Sequence, residues 1–274
     1  FWLKLKSFVP SGNINTKDIS SMGSAVVREP SSEAPQEPLL ASETQESTYV
    51  KNASAEIRNG FIRKVYSILC AQLLLTVVVG AMVYQHADWV HRHPSALVVA
   101  LVMSVVTMLA IVCCKKISRK FPQNFIFLAV FTTCEGLLLG CVCSKYSAYQ
   151  VIMSVFITCV VFGFLTMYAC FTKTDFTGYG AYLFGALLVL TLFGFTVPLL
   201  AYAGLSFPAL HLVFNLMGVL VFVCYIIYDT QLIMGEHGGH KEQFEIDDYI
   251  FASLNLYLDV VNLFLYILEM FGER

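Results

Sequence analysis

The 274-residue chain is too apolar and too sparsely charged for a soluble globular domain. Hydrophobic residues make up 57% of it, charged residues make up 13%, and the mean hydropathy is +0.70. A typical soluble domain carries about 25% charged residues. The net charge is only −2 and the basic residues are scattered, which excludes a nucleic-acid-binding protein. We therefore predict a multi-pass membrane protein.

The first segment in chain order is a polar tail, residues 1–57. Ser, Glu, Thr and Pro dominate it, as in REPSSEAPQEPLLASETQES, and no apolar periodicity supports a core. This composition predicts disorder. The chain opens with Phe1, and Met22 precedes the polar stretch, so residues 1–21 are a candidate for a segment upstream of the true start. The predicted membrane domain covers residues 58–274.

Seven apolar runs follow the tail. Each is close to the ~20 residues that a helix needs to cross about 30 Å of hydrocarbon, and connections rich in turn and charged residues separate them. The predicted spans are 65–84, 95–114, 124–143, 147–171, 178–203, 209–231 and 248–270. The predicted fold class is therefore an all-α integral membrane protein with seven transmembrane helices.

Basic residues in the short connections predict a cytosolic N-terminus, because Lys and Arg accumulate on the cytosolic side of membrane proteins. Nine lie on the side of the tail and three on the opposite side. The nine are Arg58, Arg63, Lys64, Lys115, Lys116, Arg119, Lys120, Lys173 and Lys241, and the three are Arg92, Lys145 and Arg274. Seven full spans place the C-terminus on the far side, whereas a re-entrant last segment places both ends in the cytosol.

The nine cysteines fall within or at the ends of the apolar runs. This placement predicts reduced thiols rather than a disulfide framework. Such thiols pack as small apolar side chains in the interior. For Cys113 and Cys114, which precede Lys115, palmitoylation is the alternative.

Apart from Asp248 and Glu269 at the two ends of the last span, three carboxylates lie within the predicted spans: Glu135, Asp229 and Asp259. An ionised carboxylate at the bilayer centre costs about 2.5–3.5 kcal/mol even on the insertion scale, so each must face protein or water. Such groups mark ion or proton pathways more often than structural contacts. We therefore predict that these three residues carry the function.

The last span carries a polar stripe. Asn255, Asp259 and Asn262 are spaced i, i+4 and i+7 and share one helical face. The two asparagines are ion-pathway candidates, and hydrogen bonds that fix helix register are the alternative role.

The two aspartates are predicted to work as a pair. If Asp229 and Asp259 approach each other, they share a proton and titrate as a unit. Raised pH would remove the proton and separate the two helices. The ionised pair would then offer hard oxygen ligands to a passing Ca²⁺.

Charged residues at the ends of the spans and outside them have simpler interpretations. Asp247 and Asp248 are interpreted as the N-cap and first-turn charges of the last span. The basic run from Lys115 to Lys120 is chiefly a topology determinant. Within it, Arg119 is a candidate basic partner for a carboxylate on the cytosolic side.

Four stretches resemble the Bax inhibitor-1 family of transmembrane Bax-inhibitor-motif proteins, specifically its Lifeguard branch. They are EIRNGFIRKVYSILCAQLLLT, KTDFTGYGAYLF, YIIYDTQLIMG and DDYIFASLNLYLDVVNLFLYILEMFG, and the resemblance covers residues 56–274. It implies six helices around a central seventh. It also implies a pH-sensitive Ca²⁺ leak that restrains cell death. The paired aspartates of the family match Asp229 and Asp259, and Glu135 matches an acidic position that recurs in parts of it.

Three functions from different classes follow as hypotheses. The first is a Ca²⁺ leak gated by Asp229 and Asp259, in a protein that is not an enzyme and has no cofactor. The second is a scaffold that acts through apoptosis-regulating membrane proteins. The third is an intramembrane aspartyl protease, which Leu256-Tyr257-Leu258 disfavours because presenilin-like enzymes carry Gly-x-Gly before the second aspartate.

The expected surroundings follow from the first hypothesis. The partners are membrane lipid, Ca²⁺ and protons, with no nucleic acid. The expected location is the endoplasmic reticulum, the Golgi or another endomembrane, with the plasma membrane as the alternative.

Overall fold

The computed structural model describes residues 50, 53–86, 88, 92–203, 208–235 and 244–272. The tail for which disorder is predicted lies mostly outside the described residues, as does most of the connection between the last two spans.

Helices dominate the described residues. We label them α1 (Ala55–Gln85), α2 (Pro94–Cys113), α3 (Lys115–Arg119), α4 (Gln123–Cys143), α5 (Ala148–Phe171), α6 (Gly180–Tyr202), α7 (Pro208–Met234) and α8 (Tyr249–Phe271). All but the short α3 are long and apolar enough to cross a membrane, which confirms the seven predicted spans. The protein is thus an all-α, multi-pass membrane protein.

Two helix ends depart from the predicted spans. Helix α1 begins at Ala55, ten residues before the apolar run, because hydropathy marks only the part that lies in lipid and the polar first turns continue the same helix. Helix α7 runs on to Met234, past the predicted residue 231. It ends where Gly235 adopts a φ of 67°, a left-handed conformation that favours glycine after a helix.

Helix α8 is the central helix of the bundle. Of the most apolar stretch of α8, 67% is buried, whereas the buried share is 39% or less in each of the other six spanning helices. Leu254, Leu256 and Leu263 are fully enclosed. The outer helices instead expose large apolar side chains, such as Val99 and Phe195, as a surface in contact with lipid requires. The predicted arrangement of six helices around the seventh is confirmed.

Small residues allow α1 and α4 to pack closely. A Cβ atom on Gly140 would lie 2.7 Å from Cβ of Val83 and 2.8 Å from the backbone oxygen of Gly80. A Cβ on Gly136 would lie 3.0 Å from Val79. The two backbones approach each other this closely because neither glycine has a side chain.

The cysteines are free thiols, as predicted, but they are not uniformly buried. Cys134 and Cys143 are buried, whereas Cys113 and Cys114 are exposed at the end of α2. Interior packing was therefore the wrong prediction for this pair, and also for Cys70, Cys159 and Cys224, which are exposed. Cys113 is the last residue of α2, and Cys114, its C-cap, joins α2 to α3.

Candidate functional site

The two predicted aspartates are buried in the interior of the bundle. Asp229, on α7, is 2% exposed, and Asp259, on α8, is 0% exposed. The residues that follow Asp229 are equally enclosed, since Thr230 and Gln231 are both 0% exposed. An aspartate buried at this depth is costly unless protein groups, a proton or a cation compensate for the lost water.

The side chain of Tyr266 sets the alignment of α7 with α8. Its ring lies directly over Gly218, where a Cβ would be 2.5 Å from ring atoms. It also stacks on Phe222, with ring centroids 5.8 Å apart, and meets Phe214 edge to face at 5.6 Å. These contacts identify the faces that the two helices present to each other and the height at which they meet.

The two aspartates lie on these facing surfaces. Asp229 is eleven residues after Gly218, and Asn255 is eleven residues before Tyr266. Eleven residues are about three helical turns, so both side chains return to the facing surfaces. Because the two helices run in opposite directions, Asp229 and Asn255 lie at the same height. Asp259 is one turn further along α8, about 6 Å away along the axis.

Counted along the two helices from the Gly218–Tyr266 contact, Asp229, Asp259 and Asn255 therefore fall on one interface between α7 and α8, within about one helical turn of each other. Asn255 is 1% exposed, and neither its Nδ2 nor its Oδ1 has a hydrogen-bond partner among the residues that the structure describes. Asn262 shares the face but differs in its bonding, since its Nδ2 donates to the carbonyl of Leu258 at 2.7 Å.

Glu135 belongs to a different part of the bundle. It is half-buried on α4, and its carboxylate interacts with the hydroxyl of Ser104 on α2. It also acts electrostatically on Tyr257 of α8, whose hydroxyl hydrogen-bonds that of Thr76 on α1 at 2.8 Å. Tyr257 lies two residues before Asp259, about 200° around the helix, so Glu135 faces the opposite side of α8 from the aspartate pair.

Gln231 is a structural residue that the sequence reasoning missed. Its fully buried side chain donates from Nε2 to the carbonyl of Thr174 at 2.9 Å and accepts from the backbone N–H of Phe176 at 2.8 Å. It thereby joins α7 to the connection between α5 and α6. Within that connection Asp175 accepts from the backbone N–H and the hydroxyl of Thr177, at 2.9 and 2.6 Å.

These bonds explain two of the quoted stretches. The glutamine of YDTQ binds the backbone of KTDF, so the two stretches form one structural unit. The sequence does show a polar residue two positions after Asp229 in an apolar run. It does not show the partners of Gln231, because they lie 55 or more residues away in the chain.

Arg119 pairs with carboxylates at the start of α8. Its Nε and Nη2 donate to the two carboxylate oxygens of Asp248 at 2.9 and 3.0 Å, and its Nη2 also lies 2.6 Å from Glu245. Lys115 lies 3.4 Å from the same glutamate. Burial raises the pKa of Asp248 above its usual range and outweighs the Arg119 guanidinium, which lowers it.

The interpretation of Asp248 as a capping residue needs a correction. Asp248 occupies the N-cap position of α8, but its side chain makes no cap hydrogen bond. Both carboxylate oxygens of Asp248 accept from Arg119 instead, because a charged guanidinium group is a stronger hydrogen-bond donor than a backbone N–H. The start of α8 is further held by Tyr249, which accepts a hydrogen bond from Asn124 at 3.0 Å and lies under the Lys64 ammonium group at 3.3 Å.

Within the described ranges, no group of three or more His, Cys, Asp or Glu side chains could hold a metal ion. The aspartate pair therefore does not belong to a cluster of the kind that retains a structural metal. A cation that visits it would need oxygen ligands from other residue types.

The fold and this site define a class: a helical multi-pass membrane protein with a pair of carboxylates buried beside its central helix. Comparison with known proteins identifies the family. A family model described as "Inhibitor of apoptosis-promoting Bax1" matches residues 58–274. The chain belongs to this Bax inhibitor family, as the four quoted stretches predicted.

Individual relatives agree with this assignment. Bax inhibitor 1 of Schizosaccharomyces pombe is 37% identical over 229 residues, which cover 82% of this chain and 81% of that protein. Human protein lifeguard 3 is 33% identical, over 80% of this chain and 70% of that protein. The Golgi anti-apoptotic protein of vaccinia virus strain Lister is 36% identical, over 81% and 88% of the two chains.

Proposed function

We propose that the protein is a pH-sensitive cation leak, chiefly for Ca²⁺, gated by Asp229 and Asp259. One observation carries the proposal: both carboxylates are buried on the facing surfaces of α7 and α8, about one helical turn apart. Lipid-embedded helices rarely contain even one such group, and two on one interface indicate a proton or ion pathway.

The chemistry of the pair supplies the gate. At lowered pH a proton between the carboxylates lets α7 and α8 stay together, because only one negative charge remains. At raised pH the proton leaves, the two charges repel, and the interface opens. Neighbouring side chains include Tyr225 and Tyr228, whose rings meet at 6.4 Å. Tyrosine is neutral up to about pH 10, so the aspartates carry the change of charge.

The packing supports an opening that is confined to one half of the interface. The Tyr266 ring over Gly218 lies three turns from the level of Asp229 and holds the far half of the two helices together. In the half that carries the carboxylates, α7 ends at Met234 and α8 begins at Tyr249. Gly235 ends the helical backbone directly after α7. Ionised oxygens in the opened half would be hard ligands for Ca²⁺.

A role in the regulation of apoptosis follows from family membership. The matching model is named for inhibition of Bax, and the viral relative is named as an anti-apoptotic protein of the Golgi. We propose that this protein restrains cell death from an endomembrane by setting its Ca²⁺ content, with its N-terminus in the cytosol. We further propose that it is not an enzyme and needs no cofactor, and that apoptosis-regulating membrane proteins are among its partners.

The test is Ca²⁺ flux through the purified protein in liposomes as a function of pH. We expect flux that rises with pH in the parent, and a flat pH profile in the variant Asp229→Asn with Asp259→Asn. Asp247→Asn is the matched control, because Asp247 is an exposed carboxylate between the same two helices. An unaltered pH profile in the double variant would remove the gating role.

Two results would favour the rival functions. Absence of flux from a folded protein, with full protection against cell death in the double variant, would support the scaffold. Cleavage of a reporter transmembrane segment that is lost in Asp229→Ala would support the protease.

A further inference from the structure

We infer that Asn255 is a ligand of the permeant cation: its amide oxygen completes, with Asp229 and Asp259, a three-residue oxygen site for a divalent cation. The inference deepens the proposed function and rests on it. No metal-ligand role follows from the helical stripe alone, since a stripe of this kind also serves to fix helix register.

The first step is the state of the Asn255 amide. It is 1% exposed, and within the described part of the chain both its Nδ2 and its Oδ1 are without a hydrogen-bond partner. A buried polar group left unsatisfied costs about 1–3 kcal/mol, and an amide has both a donor and an acceptor to satisfy. A side chain of this kind in the interior of a bundle indicates a polar ligand that comes and goes.

The second step is its position. Asn255 lies at the height of Asp229 on the facing helix, and Asp259 is one turn away on its own face. The amide therefore lies on the same interface as both carboxylates, the interface that the gate would open.

The third step is the chemistry. Ca²⁺ takes oxygen ligands from carboxylates and from amide carbonyls. Two carboxylates supply charge, and the amide oxygen replaces one water of the hydration shell without adding charge. The amide N–H group can meanwhile donate to a carboxylate and hold it in place. We expect this set to prefer a divalent over a monovalent cation, because two negative charges balance it.

Asn262 and Asn215 show by contrast why Asn255 is singled out. Asn262 uses its Nδ2 within its own helix. Asn215 is 3% exposed with an unpaired Oδ1, but it lies fourteen residues before Asp229 on α7, about 21 Å along the axis. It therefore provides a control for the loss of a buried amide away from the carboxylates.

The first experiment measures binding of Tb³⁺, a luminescent substitute for Ca²⁺, to the purified full-length protein in detergent. Tyr225 and Tyr228 lie close enough to the site to sensitise its emission, and Ca²⁺ serves as the competitor. We expect Asn255→Leu, which keeps the volume and removes the oxygen, to weaken Tb³⁺ binding at least tenfold. Asn215→Leu should stay within twofold of the parent.

The second experiment measures flux in liposomes. We expect Asn255→Leu to lower the ratio of Ca²⁺ to K⁺ flux while the pH at half-maximal flux stays where the aspartates set it. A purely structural asparagine would lower both fluxes in proportion and leave their ratio unchanged. Should Asn255→Leu fail to fold, Asn255→Asp decides, because it keeps an oxygen, adds charge and should bind Tb³⁺ at least as tightly as the parent.

The outcomes separate the inference from the function on which it rests. The ligand role would be overturned, and the gate left intact, by two results together. The first is a Tb³⁺ affinity and a flux ratio in Asn255→Leu that stay within twofold of the parent, and the second is loss of binding in the double aspartate variant. Weaker binding in Asn255→Asp would also overturn it. If the parent neither binds Tb³⁺ nor conducts Ca²⁺, both the gate and the ligand role fall.

Discussion

At the scale of single residues, burial separates polar side chains by what satisfies them. Gln231 is fully buried and has two backbone partners, whereas Asn255 is buried to nearly the same extent and has none in the described ranges. The first therefore holds the α5 to α6 connection on the bundle, and the second is the residue that we propose as a cation ligand. The sequence alone does not show which of these two buried amides is hydrogen-bonded.

We predict that Gln231→Leu destabilises the protein. The change leaves the carbonyl of Thr174 and the N–H of Phe176 without their partner, at about 1–3 kcal/mol for each group that stays buried. Thermal unfolding in detergent measures the effect, with the exposed Gln123→Leu at the start of α4 as control. Equal melting temperatures for the two variants would show that water replaces the lost bonds.

At the scale of helices, glycines decide how closely two spans approach each other. Gly136 and Gly140 admit Val79 and Val83 between α1 and α4, and Gly218 admits the ring of Tyr266 between α7 and α8. The second contact bears on the proposed gate, because it sets the height of Asp229 relative to α8. By contrast, a Cβ on Gly163 or Gly185 would meet nothing within 4 Å.

We predict that Gly140→Ala costs about 1–3 kcal/mol, the usual range for overpacking. The new Cβ would meet the backbone oxygen of Gly80 at 2.8 Å, which no side-chain rotation relieves. Gly163→Ala is the matched control and should be neutral or stabilise its helix by about 0.5–1 kcal/mol. Resistance to thermal unfolding compares the two. A Gly140→Ala protein as stable as the control would mean that α1 and α4 separate at little cost.

At the scale of the whole molecule, the central position of α8 places much of the buried core and one aspartate of the proposed gate in one helix. Most of its side chains are buried in protein, whereas the outer helices divide theirs between protein and lipid. Lipid is as apolar as leucine, so a truncated side chain on the outer surface loses little. A truncated side chain in the centre leaves a cavity that lipid does not fill.

We predict that Leu263→Ala, on α8, costs about 2–5 kcal/mol, the range for a leucine removed from a packed core. Leu101→Ala, on α2, should cost less than about 1 kcal/mol, because Leu101 is 53% exposed on the surface in contact with lipid. Unfolding in mixed micelles by a denaturing detergent provides the comparison. Similar losses in both variants would contradict the central position of α8.

The sequence alone determined the seven spans, the family and the residues that need a special environment, because hydropathy, motifs and the cost of a buried charge are properties of one segment at a time. Asn255 and Asp259 also shared a face by spacing alone. The tertiary structure decided which residues meet. Arg119 pairs with Glu245 and Asp248, and Gln231 bonds the backbone of Thr174 and Phe176. Asp229 lies at the height of Asn255, whereas Glu135 lies on the other side of α8. The physical reason is that the alignment of two helices depends on how side chains such as Tyr266 fit into gaps such as the one over Gly218. That fit depends on residues far apart in the chain.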